Sequence, residues 1–192
     1  MSNIADYRTI SYFDVETTSL DPSKGEIIQI CVVTEDREGN LEEWSTKIRP
    51  RLKEGTYSRS ALKINNFNPK EFIDAPIFED VADQIIEKLR WGPIVAHNAQ
   101  FDISFIESNL ARYTDWKPGQ RTDYEKRTYR LGYPVIDTVA LAYLLVPSER
   151  QSLMALREHF EIDTDGGHEA VKDVYDCRTI FWSCLQKCLE VR

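Results

Sequence analysis

No stretch of the 192-residue chain is apolar for long enough to cross a bilayer, and Met1-Ser2-Asn3-Ile4-Ala5-Asp6 lacks the charge and hydropathy of a leader. A soluble, cytoplasmic protein without a membrane partner is expected. Cysteine is scarce: Cys31, Cys177, Cys184 and Cys188 include no Cys-x-x-Cys pair, and no nearby histidine completes a zinc set. The spacing of the last three instead puts them on one helical face with Phe181 and Leu185, as core thiols, and reduced thiols suit the cytosol. Cations are outnumbered, 24 Lys and Arg against 32 Asp and Glu, for a net charge of −8. That deficit argues against a surface that grips nucleic acid all round. It permits an acidic cleft whose bound cations reverse the sign where a phosphate sits. Repeats and low-complexity tracts are absent too, and the length suits one domain, expected over 1–192, with a core that needs no staples.

What the chain does have is an apolar strand that ends in acids. Thr9-Ile10-Ser11-Tyr12-Phe13 carries residues suited to a pleated surface and runs into Asp14-Val15-Glu16-Thr17-Thr18-Ser19-Leu20. Side chains alternate along a strand, so Asp14 and Glu16 share one face while Phe13 and Val15 share the other. Two carboxylates at that spacing repel by roughly 1 kcal/mol in water and about 4 kcal/mol near a protein surface, so the pair asks for a cation or a proton. Asp-x-Glu alone is a weak signal, because Asp36-Arg37-Glu38 and Asp123-Tyr124-Glu125 repeat it. Only the first follows an apolar strand and precedes a turn. By itself it is either a metal site or a solvated strand end.

After a turn at 21–25, residues 26–34 read as a second, buried strand and 41–48 as a third, joined by a polar hairpin loop in an antiparallel meander. The pattern then turns helical. A short helix at 60–64 is broken by Asn65-Asn66-Phe67-Asn68-Pro69, and an amphipathic helix follows at 76–89. Next come a strand at 94–97, a helix through Phe101 and Leu110, a strand at 134–136, and helices at 139–145, 152–160 and 170–189. Right-handed crossovers set the last two strands parallel to the first, which predicts an α/β fold: a mixed five-stranded sheet with helices on its faces. Between 112 and 130, six basic residues meet three acidic ones, with Trp116, Tyr124 and Tyr129 interleaved. The segment is either a stacking surface for single-stranded bases or a solvated loop or small hairpin.

Two further carboxylates can join the first pair. Asp102 falls in the first helical turn after the fourth strand, where the helix dipole favours an anion by roughly 0.3–1 kcal/mol. Capping alone explains it, yet the C-terminal ends of parallel strands form the usual ligand crevice, and there Asp102 would face Asp14 and Glu16. Gly166-Gly167-His168-Glu169-Ala170-Val171-Lys172-Asp173 supplies Asp173, on a helix behind a glycine loop. His168, at the end of that loop, suits proton removal from water; His97 reads as structural and His159 as a surface residue. Four acids around one pocket require counter-charge. Oxygen-only ligation selects hard cations, and two Mg²⁺ or Mn²⁺ ions about 3.5–4 Å apart suit in-line displacement at phosphorus, so the reaction class is metal-assisted phosphodiester hydrolysis.

Phe13-Asp14-Val15-Glu16-Thr17-Thr18-Ser19-Leu20, His97-Asn98-Ala99-Gln100-Phe101-Asp102 and His168-Glu169-Ala170-Val171-Lys172-Asp173 resemble, in order, the three motifs of the DEDDh 3′–5′ exonucleases. This DnaQ-like family includes bacterial proofreading subunits, ribonuclease T and oligoribonuclease. The resemblance implies a ribonuclease H-like fold, with two Mg²⁺ or Mn²⁺ ions held by Asp14, Glu16, Asp102 and Asp173. It further implies that His168 is the general base and that nucleoside 5′-monophosphates leave a 3′ end. Thr17 would contact the sugar-phosphate, Leu20 would wedge against the base, and Asn98 and Phe101 would line the pocket. Glu169 stands where the tyrosine branch of the superfamily has Tyr, so the histidine branch fits. Ser19 departs from a common Gly, and Asn65-Asn66 from a His-Gly or Asn-Gly pair, leaving Asn65 to touch the nucleotide. The expected partners are single-stranded 3′ ends, DNA rather than RNA, and a DNA polymerase served by proofreading. An exoribonuclease and a non-catalytic, polymerase-associated binding module are the alternatives. The chain stops soon after its last helix, so no polymerase-tethering tail is expected.

Overall fold

The computed structural model describes residues 9–116, 122–124, 127–129, 134–147, 150–164 and 169–190. Strands β1 (Ile10–Thr17), β2 (Ile27–Glu35) and β3 (Leu41–Lys47) form the expected meander. Helix α1 (Arg59–Ile64), a 3₁₀ turn (Pro69–Phe72) and α2 (Phe78–Leu89) lead into β4 (Ile94–Ala96) and α3 (Ala99–Tyr113). A hairpin of β5 (Thr122–Tyr124) and β6 (Arg127–Tyr129) precedes β7 (Val135–Asp137), α4 (Thr138–Leu145), α5 (Leu153–His159) and α6 (Ala170–Glu190). The main sheet has the order β3-β2-β1-β4-β7, with β4 parallel to both β1 and β7. This is the mixed five-stranded, helix-flanked α/β sheet that the crossovers predict.

The two faces of β1 pack against different helices. Phe13 and Val15 join Ile30, Val32 and Ile94 in a core closed by α2 and α3, through Phe78, Val81, Ile85, Phe105 and Ile106. Tyr12, Cys31, Val33 and Val95 look the other way, onto Ala170, Val174, Cys177 and Phe181 of α6. Asp14 and Glu16, two and four residues after Tyr12, therefore lie on the α6 side. Cys184 is buried with α4 and α5, but Cys188 is exposed. The helical face continues to that thiol; the core beneath it does not.

The segment at 112–130 divides. Arg112 donates to the carbonyls of Pro22, Ser23, Lys24 and Gly25, so it fastens the turn after β1. Trp116, partly buried, packs against the core that α2 and α3 close. Backbone pairing of β5 with β6 gives the small hairpin, while the side chains of Tyr124 and Tyr129 lie outside the described residues. Gly25 is required by close approach: a Cβ there would stand 2.7 Å from Phe105. Among the described residues no helix is long and apolar enough to cross a membrane.

At the end of the sheet where β1 starts and β2 finishes, the 6%-exposed Glu35 accepts from Tyr12 Oη at 2.8 Å, from Arg178 at 2.6 and 3.0 Å, and from Trp182 Nε1 at 3.0 Å. Burial alone would raise this carboxyl, but the hydrogen bonds from Arg178, Trp182 and Tyr12 hold it below the usual glutamate range. A depressed folded value stabilises above the unfolded value of about 4.3, and that stability is lost as the pH falls through the folded value. Glu35→Ala should cost about 2–4 kcal/mol at pH 7 by urea denaturation, with a smaller loss of stability below pH 4 than the parent shows. An unchanged midpoint at pH 7 would count against this network.

Candidate active site

β1 brings its acids to the end of the central strand through two local departures from regularity. Its ladder with β2 pairs Glu16 with Gln29 but Thr17 with Ile27, so Ile28 of β2 is the bulged residue and the register slips just where the carboxylates of β1 emerge. Its ladder with β4 is short, pairing only Ser11 with Ile94 and Tyr12 with Val95. Beyond it, the Val15 amide is left to donate 3.1 Å to Oδ1 of Asp102, a side chain 3% exposed in the first turn of α3. From the other face, Asp173 arrives in the first turn of α6. Oxygens of Asp14, Glu16 and Asp173 all lie within 4.8 Å of one another.

Asp137 holds the second segment in place. Its carboxylate caps α4 by accepting from the Val139 amide at 2.9 Å, and it also accepts from the amides of Asn98 at 3.0 Å and Ala99 at 3.2 Å. Asn98 enters α3 in the left-handed region, φ 63°, which asparagine tolerates better than most residues. His97, as expected of a structural imidazole, sets Nδ1 2.9 Å from Thr138 Oγ1, and burial lowers its pKa. His159 is exposed.

The residues expected to touch a nucleotide occupy different surroundings. Thr17 is buried, and its hydroxyl donates to the Ser19 carbonyl at 2.7 Å, so that hydroxyl shapes the turn. Ser19 itself has no positive φ, which explains why the turn accepts a residue other than glycine. Asn66 does sit in the left-handed region, φ 47°, where the resemblance has Gly, while Asn65 Nδ2 donates to the Thr17 carbonyl at 2.9 Å. Leu20 is 77% exposed and so is not a core residue. Phe101 stacks on Phe105, ring centroids 4.9 Å apart, beside the core. Glu16, Gln29, Lys47, Asn65, Asn66 and Glu169 line a groove of about 390 Å³, to which Asp14, Asp102 and Asp173 do not contribute. A larger cavity of about 460 Å³ lies beside Glu35 and Trp182 and includes none of the acids. His168 lies outside the described residues.

One participant has no counterpart in the sequence reading. Arg157 of α5, buried, donates to Asp173 at 2.5 Å and to Asp176 at 2.6 Å. An arginine in an amphipathic helix reads as solvated charge, and only the packing of α5 on α6 turns it inward.

Burial, then the charges of Asp102, Glu16 and Asp173, raises the Asp14 carboxyl well above its ordinary range. Burial and Asp173 push Glu16 up to about 7, and Asp102 rises to about 8, again by burial, against the opposing amide of Val15. Buried, proton-hungry carboxylates with only oxygen donors fit a hard divalent cation, which would replace those protons.

A family model described as "Exonuclease" matches residues 11–181. The chain is 29% identical over 180 residues to DNA polymerase III PolC-type of Caldanaerobacter subterraneus, covering 93% of this chain and 12% of that one. It is 27% identical over 176 residues to DNA polymerase III subunit epsilon of Treponema pallidum, covering 90% and 74%. The zinc-bound E. coli ExoI–ssDNA complex shares its fold at a TM-score of 0.72 and 20% identity, over 96% of this chain and 41% of that one. The chain thus spans about an eighth of the PolC-type relative and under half of the ExoI chain.

Acids whose folded pKa lies above the unfolded value bind extra protons when folded, so stability falls as the pH rises from about 4 towards the folded values near 7 and 8. In EDTA the melting temperature should therefore drop between pH 5.5 and 8.5, and added Mn²⁺ should restore more of it at pH 8.5 than at pH 5.5. A flat EDTA profile would contradict the burial of these acids.

Proposed function

The chain belongs to the DEDDh 3′–5′ exonuclease family, and on that premise we propose that it hydrolyses single-stranded DNA from the 3′ end, releases nucleoside 5′-monophosphates, and does so beside a DNA polymerase as a proofreading activity. The observation that carries this reading is the convergence of Asp14, Glu16 and Asp173 oxygens within 4.8 Å, with Asp102 docked on the intervening backbone. Relatives that are polymerase III subunits support the DNA substrate and the polymerase partner.

Asp14, Glu16, Asp102 and Asp173 would hold two Mg²⁺ or Mn²⁺ ions. Bound there, such ions lower the pKa of water and stabilise charge on the departing oxygen. His168 would take the proton of the attacking water; its chain neighbour Glu169 lines the same groove as Glu16, which supports that assignment. Leu20, largely presented to solvent, would press on the terminal base, and Phe101 would line the pocket. Thr17 would lie against the terminal sugar-phosphate, with its hydroxyl committed to Ser19, and Asn98 would line the pocket with Phe101. Asn65 would set the height of that pocket through its bond to the Thr17 carbonyl.

Purified protein should shorten a 5′-labelled DNA oligomer in single-nucleotide steps with Mg²⁺ or Mn²⁺ and not in EDTA, and a matched RNA oligomer more slowly. Asp14→Asn should lower kcat by about three orders of magnitude, the several kcal/mol expected of a lost metal ligand. Full activity of that variant would overturn the site assignment, and faster RNA degradation would overturn the DNA preference.

A further inference from the structure

Arg157 holds a charge where α5 offers it almost no water: its side chain keeps 3% of its exposure. Nε reaches Asp176 Oδ2 at 2.6 Å, and NH2 reaches Asp173 Oδ1 at 2.5 Å. Lys172 Nζ, one turn before Asp176 on α6, adds a second cation 3.2 Å from the same Asp176 oxygen. A guanidinium does not lose its proton in proteins, so this positive charge is permanent, and it stands against the carboxylate grouped with Asp14 and Glu16.

Two effects follow from the geometry. With no cation present, the guanidinium offsets repulsion among the clustered acids and fixes the torsions of Asp173. When a divalent ion arrives, an oxygen engaged in a charge-assisted hydrogen bond offers it less negative charge, and the ion also meets a like charge at low dielectric. Both effects favour a shaped site with a loose hold on its ion.

We propose that Arg157 is a positioning residue, a resident counter-ion that keeps Asp173 aimed in the cation-free site and weakens divalent binding on the Asp173 side. This rests on the exonuclease reading in taking Asp173 as a ligand. The rival explanation is that Arg157 merely fastens α5 to α6, which would affect stability and leave cation affinity unchanged.

Mn²⁺ binding to the full chain, stripped with EDTA and free of nucleic acid, distinguishes the two; the free-ion electron paramagnetic resonance signal reads it directly. The variant is Arg157→Met combined with Asp176→Asn, which removes the guanidinium together with its second carboxylate. It should bind Mn²⁺ about tenfold more tightly than the parent, while kcat at saturating Mn²⁺ falls and KM for the oligonucleotide holds. Equal or weaker Mn²⁺ binding by the folded double variant overturns the proposal. Should that variant fail to fold, Arg157→Gln decides: it removes the charge while Asp176 keeps Lys172, so tighter Mn²⁺ binding supports the proposal and unchanged or weaker binding overturns it. A parent chain that binds no Mn²⁺ takes down the exonuclease reading and this inference together; a parent that binds, with variants that match it, takes down the inference alone.

Discussion

The structure depends on forcing like charges together. Asp14, Glu16 and Asp173 come within 4.8 Å in a pocket where burial already disfavours their ionised forms. Carboxylates left to themselves would separate, so the scaffold around them must be stiff. β1 supplies that stiffness by lying in the middle of the sheet, packed on both faces by apolar residues that alternate with the acids. α6 is pressed onto the same strand by Ala170, Val174, Cys177 and Phe181, and this leaves Asp173 little freedom to retreat.

Much of this was legible in the sequence because two periodicities are strong. The alternation in β1 and the apolar run of β2 place the strands to within about a residue, and the alternation puts Asp14 and Glu16 on one face. The helices at 60–64, 139–145 and 170–189 likewise differ from α1, α4 and α6 by about a residue at their ends. The 3₁₀ turn at Pro69–Phe72 was not foreseen, because proline and asparagine there signalled only a break.

What escaped the sequence depends on contacts between distant segments. Arg112 reads as one more charge in a basic run, yet it ends on four carbonyls some 90 residues away in the chain. Arg157 reads as the polar face of a helix until α6 is laid against it. Asp137 caps α4 from the strand beside it in sequence, but its parallel duty at the start of α3 needs β4 and β7 to be neighbours. The bulge at Ile28 has no residue signature, because it arises from how two strands of ordinary composition meet a turn.

The anchoring of Asp102 carries a consequence for how such a site can change over time. Its tether is the main-chain amide of Val15, a group that every residue except proline possesses. The position between the two strand acids is thus released from any duty in holding the third. Selection there acts on volume and shape alone, so substitutions can accumulate at Val15 to suit the core while the acid from α3 stays where it is.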